Sequence, residues 1–172
     1  MTLSISCRCG TSRIFASGIP VLRAYCHSQA CRELFGGAVT ALAAWRRSEV
    51  DLPAGARALA CFTLGNRQSK RHFCAGCGDI LFAEDALGFR LIPGQALANA
   101  GHGAVPERFA PIMHVNYSQR QFDVADNLPK YLERPGGPMY DGLRAPPRPP
   151  RSLEIPVSMQ QVRALRGNAK IL

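Results

Sequence analysis

The sequence lacks both the long hydrophobic run of a membrane protein and the leader of an exported one. No stretch approaches the roughly 18 to 20 apolar residues that are needed to cross a bilayer. The first residues, Met1 to Ser6, do not show the charged-then-apolar pattern of a signal peptide. We therefore expect a cytoplasmic protein in a reducing compartment, with no membrane partner.

Acidic residues are scarce. The chain has 12 Asp and Glu against 21 Lys and Arg, which gives a formal net charge of +9. Such a charge favours polyanions, because phosphates attract basic side chains whatever the sequence. However, the basic excess is spread along the chain, and its densest stretch, Arg144 to Arg151, is rich in proline. Nucleic acid is therefore only a secondary candidate as a partner.

The pattern of short runs favours a mainly β fold. With 172 residues, of which 47% are hydrophobic, the chain suits one globular domain and a tail. From Ile14 onward, apolar or alternating runs are broken by glycine and proline, as is typical of strands. The predicted strands cover Arg13 to Ala16, Val21 to Tyr25, Val39 to Trp45, Ala58 to Leu64, Lys70 to Phe73, Ile80 to Ala83, Phe89 to Pro93 and Ile112 to Tyr117.

Glycine and proline also indicate where the domain ends. Residues 99–111 are rich in Gly, Pro and Ala and predict a surface loop. A second such stretch covers 136–150, so we place the domain at residues 1–133 and a proline-rich linker and tail at 134–172. Within that tail Ser158 can cap a short helix from Met159 to Arg166. The sequence does not specify an oligomeric state.

Two close pairs of cysteines lie more than sixty residues apart, and each pair is followed at once by a glycine. The cysteines are Cys7, Cys9, Cys74 and Cys77, and the glycines are Gly10 and Gly78. Zinc binds four thiolates in a tetrahedron, and a short-spaced pair delivers two sulfur atoms from one tight turn. Glycine lets the backbone turn back under the metal without a clash. The spacing predicts a structural zinc site; the alternative is a set of unrelated thiols.

A second cluster, residues 26–31, supplies two more thiols, Cys26 and Cys31. A catalytic zinc usually has three protein ligands and an open fourth position. Here Ser28 is a poor ligand, because its hydroxyl stays protonated near neutral pH. His27 could be the third ligand, but in an extended segment its side chain points away from those of Cys26 and Ser28. The alternative is a hydrogen-bonded histidine that does not touch metal. The cluster therefore predicts an incomplete second zinc site.

Four more residues could belong to a site. Cys61 lies in an apolar run and is expected to be a small buried hydrophobe. His72 is expected to be structural. His114 is expected in the core or at an edge, with an active-site role as the alternative. His102 lies in the predicted loop and, like His27, is a candidate for contact with a bound substrate or cofactor; a solvated histidine is the alternative.

Several pieces of the sequence occur in the order and spacing of a known family. These pieces are Cys7 to Gly10, Tyr25 to Arg32, Phe73 to Phe82, His114-Val115 and Asp126 to Tyr131. Together they resemble the glutathione-dependent formaldehyde-activating enzyme family, which includes centromere protein V. The resemblance covers about residues 5 to 133.

The resemblance implies a β-tent fold and a structural zinc at the four paired cysteines. It also implies a second zinc at a Cys-x-Cys-x-x-Cys motif, onto which Cys26, Ser28 and Cys31 fall. Members of the family are described as carbon–sulfur lyases that act on the adduct of formaldehyde and glutathione. Zinc can polarise the thiol or the hydroxymethyl oxygen of such an adduct.

Ser28 departs from the family motif, and this leaves more than one function open. The first hypothesis is a lyase-like enzyme for a glutathione or other small-thiol adduct, with Cys26, Cys31 and Ser28 as the catalytic residues. The second is a non-catalytic, zinc-stabilised binding module. In a third, Cys26 and Cys31 are a thiol switch that forms a disulfide.

Overall fold

The computed structural model describes residues 2–53, 59–63 and 69–143. The predicted helix at Met159–Arg166 and most of the predicted tail lie outside these ranges. Over the described residues the protein is mainly β, with two short α-helices. The strands are β1 (Thr2–Ser6), β2 (Arg13–Ser17), β3 (Leu22–Cys26), β4 (Thr40–Arg46), β5 (Val50–Asp51), β6 (Leu59–Thr63), β7 (Lys70–Cys74), β8 (Ile80–Glu84), β9 (Phe89–Pro93) and β10 (His114–Val115); the helices are α1 (Gln29–Phe35) and α2 (Gly94–Ala100).

The strands form two sheets. The smaller has the order β1-β2-β5, and the larger has the order β10-β3-β4-β9-β8-β7-β6. All neighbouring strands in these two sheets are antiparallel except β10 and β3, which are parallel. In that parallel pair Val115 lies opposite Cys26, so a late part of the chain covers the edge of β3.

The main core packs the small sheet and α2 against the large sheet. Alternating residues of β1 and β2, such as Ile5 and Ile14, are fully buried, as period-2 patterning requires of a strand with one covered face. They meet Trp45 from β4 and Phe82 from β8 in one cluster, to which α2 contributes Leu97. Trp45 and Phe82 are 0% exposed, so these aromatic rings are the centre of the domain.

The strands predicted from Arg13 onward all overlap observed strands, within one or two residues at most ends. The structure adds β1, β5 and both α-helices. The predicted loop at 99–111 is only partly irregular: it includes the end of α2 and a 3-10 helix, Glu107–Phe109. Phe109 is buried there against Trp45, with ring centroids 5.5 Å apart.

The division at residue 133 stays a prediction, but residues just beyond it contact the earlier chain. Tyr131 and Met139 form an antiparallel bridge. The ring of Tyr140 packs on Tyr117 at 5.0 Å, and the Arg120 guanidinium lies 4.3 Å from the Tyr140 centroid. The packed region therefore extends to Tyr140.

Candidate metal centre and thiol cavity

The four paired cysteines come together between the two sheets. Cys7 and Cys9 lie in the turn after β1, Cys74 is the last residue of β7, and Cys77 lies in the turn that follows it. All four sulfur atoms lie within 4.8 Å of one another. Gly10 and Gly78 have φ angles of +74° and +77°, a backbone conformation that glycine adopts without strain. The geometry is that of one tetrahedral thiolate site.

A buried hydroxyl tests whether this site suits a metal. Ser12 is 1% exposed, and among the described residues its Oγ has no hydrogen-bond partner. Its backbone N–H donates to Cys7 Sγ at 3.2 Å. The Ser12 hydroxyl is also the main cause that lowers the pKa of Cys74, to about 6. A donor enclosed beside sulfur needs a thiolate, so the four residues fit a soft divalent ion such as zinc.

An ion pair holds the two cysteine turns together. Arg8, between Cys7 and Cys9, donates from its backbone N–H to Asp79 Oδ2 at 2.7 Å, and its guanidinium lies 2.9 Å from Oδ1. Asp79 directly follows Gly78 in the second turn. The two turns therefore keep their relative position through protein contacts as well as through the cysteines.

The second pair of thiols lies where β3 leads into α1. Cys26 is the last residue of β3, and Cys31 lies in the first turns of α1. Between them Ser28 caps the helix: its Oγ accepts a hydrogen bond from the Cys31 amide at 3.1 Å. The same Oγ lies 3.4 Å from Cys26 Sγ. One hydroxyl therefore lies against both cysteines.

The two thiols have opposite acid–base character. The hydrogen bond from Cys31 lowers the pKa of Cys26 to about 6, against the effect of burial, and Ser28 and the Asn116 amide contribute to this shift. Asn116 donates from Nδ2 at 3.6 Å. Hydrogen bonding to Cys26, together with burial, raises the pKa of Cys31 well above its usual range. Near pH 7 Cys26 is the thiolate and Cys31 the thiol.

Both cysteines line a cavity of about 490 Å³. Its inner walls are apolar and come from β3, α1, β4, β9 and β10. Its rim carries Asp85, Glu133 and Arg134. Cys26 and Cys31 are only 5% and 6% exposed, so a small molecule reaches them through this cavity.

His27 points to the other side of β3. Its Nε2 lies 2.8 Å from His114 Nδ1, and His114 Nε2 lies 2.8 Å from Asp126 Oδ2. Lys130 Nζ donates to the other oxygen of Asp126 at 2.6 Å. Burial lowers the pKa of His27 to about 4, and the nearby charges of His114, Arg120 and Arg32 act in the same direction. His27 is therefore a neutral, buried member of a hydrogen-bonded chain.

Comparison with known proteins agrees with this geometry. A family model described as glutathione-dependent formaldehyde-activating enzyme matches residues 2–119, a range that contains both cysteine clusters and β10. The chain belongs to this family. The resemblance found in the sequence is thereby confirmed. Within this glutathione-dependent formaldehyde-activating family the function is glutathione-related and involves zinc, which the four-cysteine cluster fits.

Two further comparisons concern curated proteins and solved structures. No curated protein matches the chain significantly. A crystal structure of a protein from Rhodobacter sphaeroides is similar over 56% of this chain and 87% of that chain, with 24% identity and a TM-score of 0.44.

Only some of the predicted site residues lie together at the cavity. Cys26, Ser28 and Cys31 meet in the cavity, and His27 does not join them. His102 is exposed after α2, with φ of +55°, and it is not among the described residues that line the cavity. Its contact with substrate stays a prediction. Cys61 was predicted to be buried, and this is wrong: it is exposed on β6, at the edge of the large sheet.

Sequence reasoning missed Asn116, whose amide contacts Cys26 across 90 positions of the chain. Asn116 has a positive φ of 55°, which asparagine adopts more readily than most residues. The signal that could have found it was its place directly after the His114-Val115 motif. Asp126 was noted only as part of a family motif, and its contact with His114 was not foreseen.

Among the described residues no helix is long and apolar enough to cross a bilayer.

Proposed function

We propose that this family member is a zinc-stabilised enzyme of the carbon–sulfur lyase type, acting on a glutathione or other small-thiol adduct. The observation that carries the proposal is the cavity of about 490 Å³ in which a thiolate, Cys26, and a thiol, Cys31, face the same space. The two sheets joined at four cysteines support the β-tent fold as part of this proposal. All seven cysteines lie in the described part of the chain, none of them in a disulfide there, and a reducing, cytoplasmic setting is part of this proposal.

The charges at the rim suit a zwitterionic tripeptide. Arg134 can pair with a carboxylate of glutathione, and Glu133 and Asp85 can pair with its ammonium group. The apolar inner walls exclude water and leave the sulfur and carbon of the adduct near Cys26. Binding and orientation are therefore assigned to the rim, and chemistry to the two cysteines.

The two cysteines can act as base and acid in one step. Cys26 takes the proton from the hydroxyl of the hydroxymethyl adduct, and the oxygen electrons form the C=O bond of formaldehyde. The carbon–sulfur bond breaks, its electron pair stays on sulfur, and Cys31 donates a proton to that sulfur. One proton is thus moved from Cys31 to the free thiol and one from substrate to Cys26. A proton then passes from Cys26 to Cys31, which restores the starting thiolate and thiol. The reverse step forms the adduct.

This proposal assigns zinc to one of the two cysteine clusters and not to the other. At Cys7, Cys9, Cys74 and Cys77 the donor set is complete, and a bound ion supplies fold stability. Within the described residues the second cluster brings together only two strong donors, Cys26 and Cys31, because Ser28 caps α1 and His27 faces His114. These residues do not fit a second zinc of the usual type, so no step is assigned to one.

Exchange between hydrated ¹³C-formaldehyde and its glutathione adduct, followed by NMR, tests the proposal. Wild-type protein loaded with one zinc should accelerate the exchange, and Cys26→Ala should slow it by about 100-fold, as expected for loss of a general base. Cys61→Ala removes an exposed thiol outside the cavity and is the matched control. If fully loaded wild-type protein gives the uncatalysed rate, the enzyme is excluded and the binding module takes its place.

A further inference from the structure

The space between Cys26 and Cys31 lacks a third metal donor for a structural reason. In the described residues the metal-ligand types come together in groups of three or more only at the four paired cysteines. At the second cluster the middle position is filled by the Ser28 hydroxyl, which already accepts from the Cys31 amide. Using it as a ligand would take a hydrogen bond from the first turn of α1.

His27 cannot replace the missing donor without a rearrangement of β3. Its ring is 1% exposed and packs edge-on against Tyr117, with centroids 4.9 Å apart. Its Nε2 is hydrogen-bonded to His114, which is bonded to Asp126, and Asp126 in turn accepts from Lys130. Turning the ring toward Cys26 would leave a buried His114 nitrogen without that partner, which is unfavourable for a buried polar group.

The two thiols, by contrast, lie in one buried cluster. The Ser28 Oγ contacts both residues, at 3.4 Å from Cys26 Sγ and 3.1 Å from the Cys31 amide nitrogen. Cys26 Sγ also accepts a hydrogen bond from the Asn116 side-chain amide. As a thiolate it can accept a second hydrogen bond from the Ser28 hydroxyl. Hydrogen-bond donors around one sulfur favour its attack on an electrophile, while its neighbour remains a thiol. The cavity connects both sulfur atoms with solvent.

We propose that Cys26 and Cys31 form a metal-free dithiol, which a hydroperoxide oxidises to an internal disulfide. This site chemistry does not depend on the lyase activity proposed above. It follows from the replacement of a thiol by Ser28, because a sulfur pair without metal is open to oxidation. The peroxide is small enough to enter through the cavity.

The reaction has two balanced steps. First, the Cys26 thiolate attacks the OH-bearing oxygen of the peroxide, the O–O bond breaks, and the leaving alkoxide or hydroxide takes a proton from water; Cys26 becomes a sulfenic acid. Second, the Cys31 sulfur attacks Cys26 sulfur, the S–OH bond breaks, and the Cys31 proton leaves with the hydroxide as water. The two sulfur atoms lose two electrons, which reduce the peroxide.

Peptide mapping of the full chain tests this inference. Zinc-loaded protein is treated with one equivalent of hydrogen peroxide, free thiols are alkylated without reductant, and the digest is analysed by mass spectrometry. We expect a Cys26–Cys31 linkage in most molecules, with the zinc content unchanged. Cys31→Ala should instead accumulate the Cys26 sulfenic acid, which dimedone traps. Cys61→Ala should form the linkage as wild type does.

Ser28→Cys provides an opposite test, since it restores a third thiol between the two. The zinc content should rise from one to two ions per chain, and disulfide formation should slow by at least tenfold. Two zinc ions in wild-type protein, or oxidation at Cys61 or the paired cysteines with Cys26 and Cys31 still free, would overturn the inference. Disulfide formation in protein without lyase activity would leave this inference standing and remove only the proposed function.

Discussion

At the scale of single residues, Ser12 and Ser28 show two uses of a buried hydroxyl beside sulfur. The Ser12 backbone N–H donates to Cys7, one of the four cysteines of the complete metal site. The Ser12 hydroxyl favours the thiolate form of Cys74. Ser28 occupies the position where a third cysteine would complete the second metal site. Its hydroxyl instead caps α1 by accepting a hydrogen bond from the Cys31 amide. Similar side chains therefore have different consequences, because the number of sulfur atoms around them differs.

Replacing Ser12 by alanine should weaken zinc binding. The change removes a buried hydroxyl that favours the thiolate form of Cys74, and loss of a group that supports a metal ligand costs about 10- to 100-fold in metal affinity. The measurement is the rate of zinc transfer to a chromogenic chelator. Ser118→Ala is the control, because it also removes a hydroxyl, one that donates to the Leu132 carbonyl at 2.8 Å. Equal transfer rates for both variants would contradict the role given to Ser12.

His27 should remain neutral at pH values where an ordinary histidine is charged. Its pKa is lowered to about 4 by burial and by the charges of His114, Arg120 and Arg32, with Asp126 opposing them. Because the folded value lies below the unfolded one, its contribution to stability is complete above pH about 6.5 and is lost as the pH falls toward 4. Side-chain ¹⁵N NMR from pH 7.5 to 5 should show no protonation of His27. Titration near pH 6.5 would contradict its placement.

At the scale of elements, the short helix α2 ends in a place that accepts only glycine. A Cβ at Gly101 would lie 2.0 Å from the backbone oxygen of Ala104 and 2.9 Å from Pro106 Cδ. Gly101→Ala should therefore lower the free energy of unfolding by about 2 kcal/mol or more. Denaturant titration measures the change. Gln95→Ala, at an exposed position of the same helix, should have an effect within about 0.5 kcal/mol.

The same scale shows what the sequence could predict. Strands such as β9 were predicted well, because five residues bounded by glycine and proline carry their own signal. The seven-residue helices α1 and α2 offer about two turns each, too few for a helical period to stand out. In α1 the spacing of the cysteines predicted a metal site, and the role of Ser28 as the helix cap was not predicted.

The candidate sites divide in the same way. The four-cysteine cluster could be predicted, because each turn has two closely spaced cysteines followed directly by a glycine. The contacts of Cys26 with Asn116 and of His27 with His114 could not, since they join residues about 90 positions apart through the parallel pairing of β10 with β3. Local patterns contain no information on that pairing.

At the scale of the whole molecule, the four cysteines connect β1 of the small sheet to β7 of the large sheet. Zinc removal should therefore unfold much of the domain, since binding at a structural site is worth about 10–16 kcal/mol and whole domains are stable by about 5–15 kcal/mol. Circular dichroism should show loss of strand signal on chelation at pH 7, with recovery on adding zinc. Cys74→Ser should behave like chelated protein and Cys61→Ser like wild type. A folded, metal-free protein would contradict a structural role for the ion.

The pairing of β10 with β3 also sets an order of events during synthesis. Cys26 and Asn116 are 90 positions apart, so at about 5–20 residues per second Cys26 is synthesised roughly 5 to 20 s before its amide partner. In that interval β3 has an open edge, and the sulfur atoms of Cys26 and Cys31 have no cavity around them. The nascent chain thus carries Cys26 and Cys31 without their cavity, and the strand β10 that later forms one wall of it is among the last parts of the domain to be made.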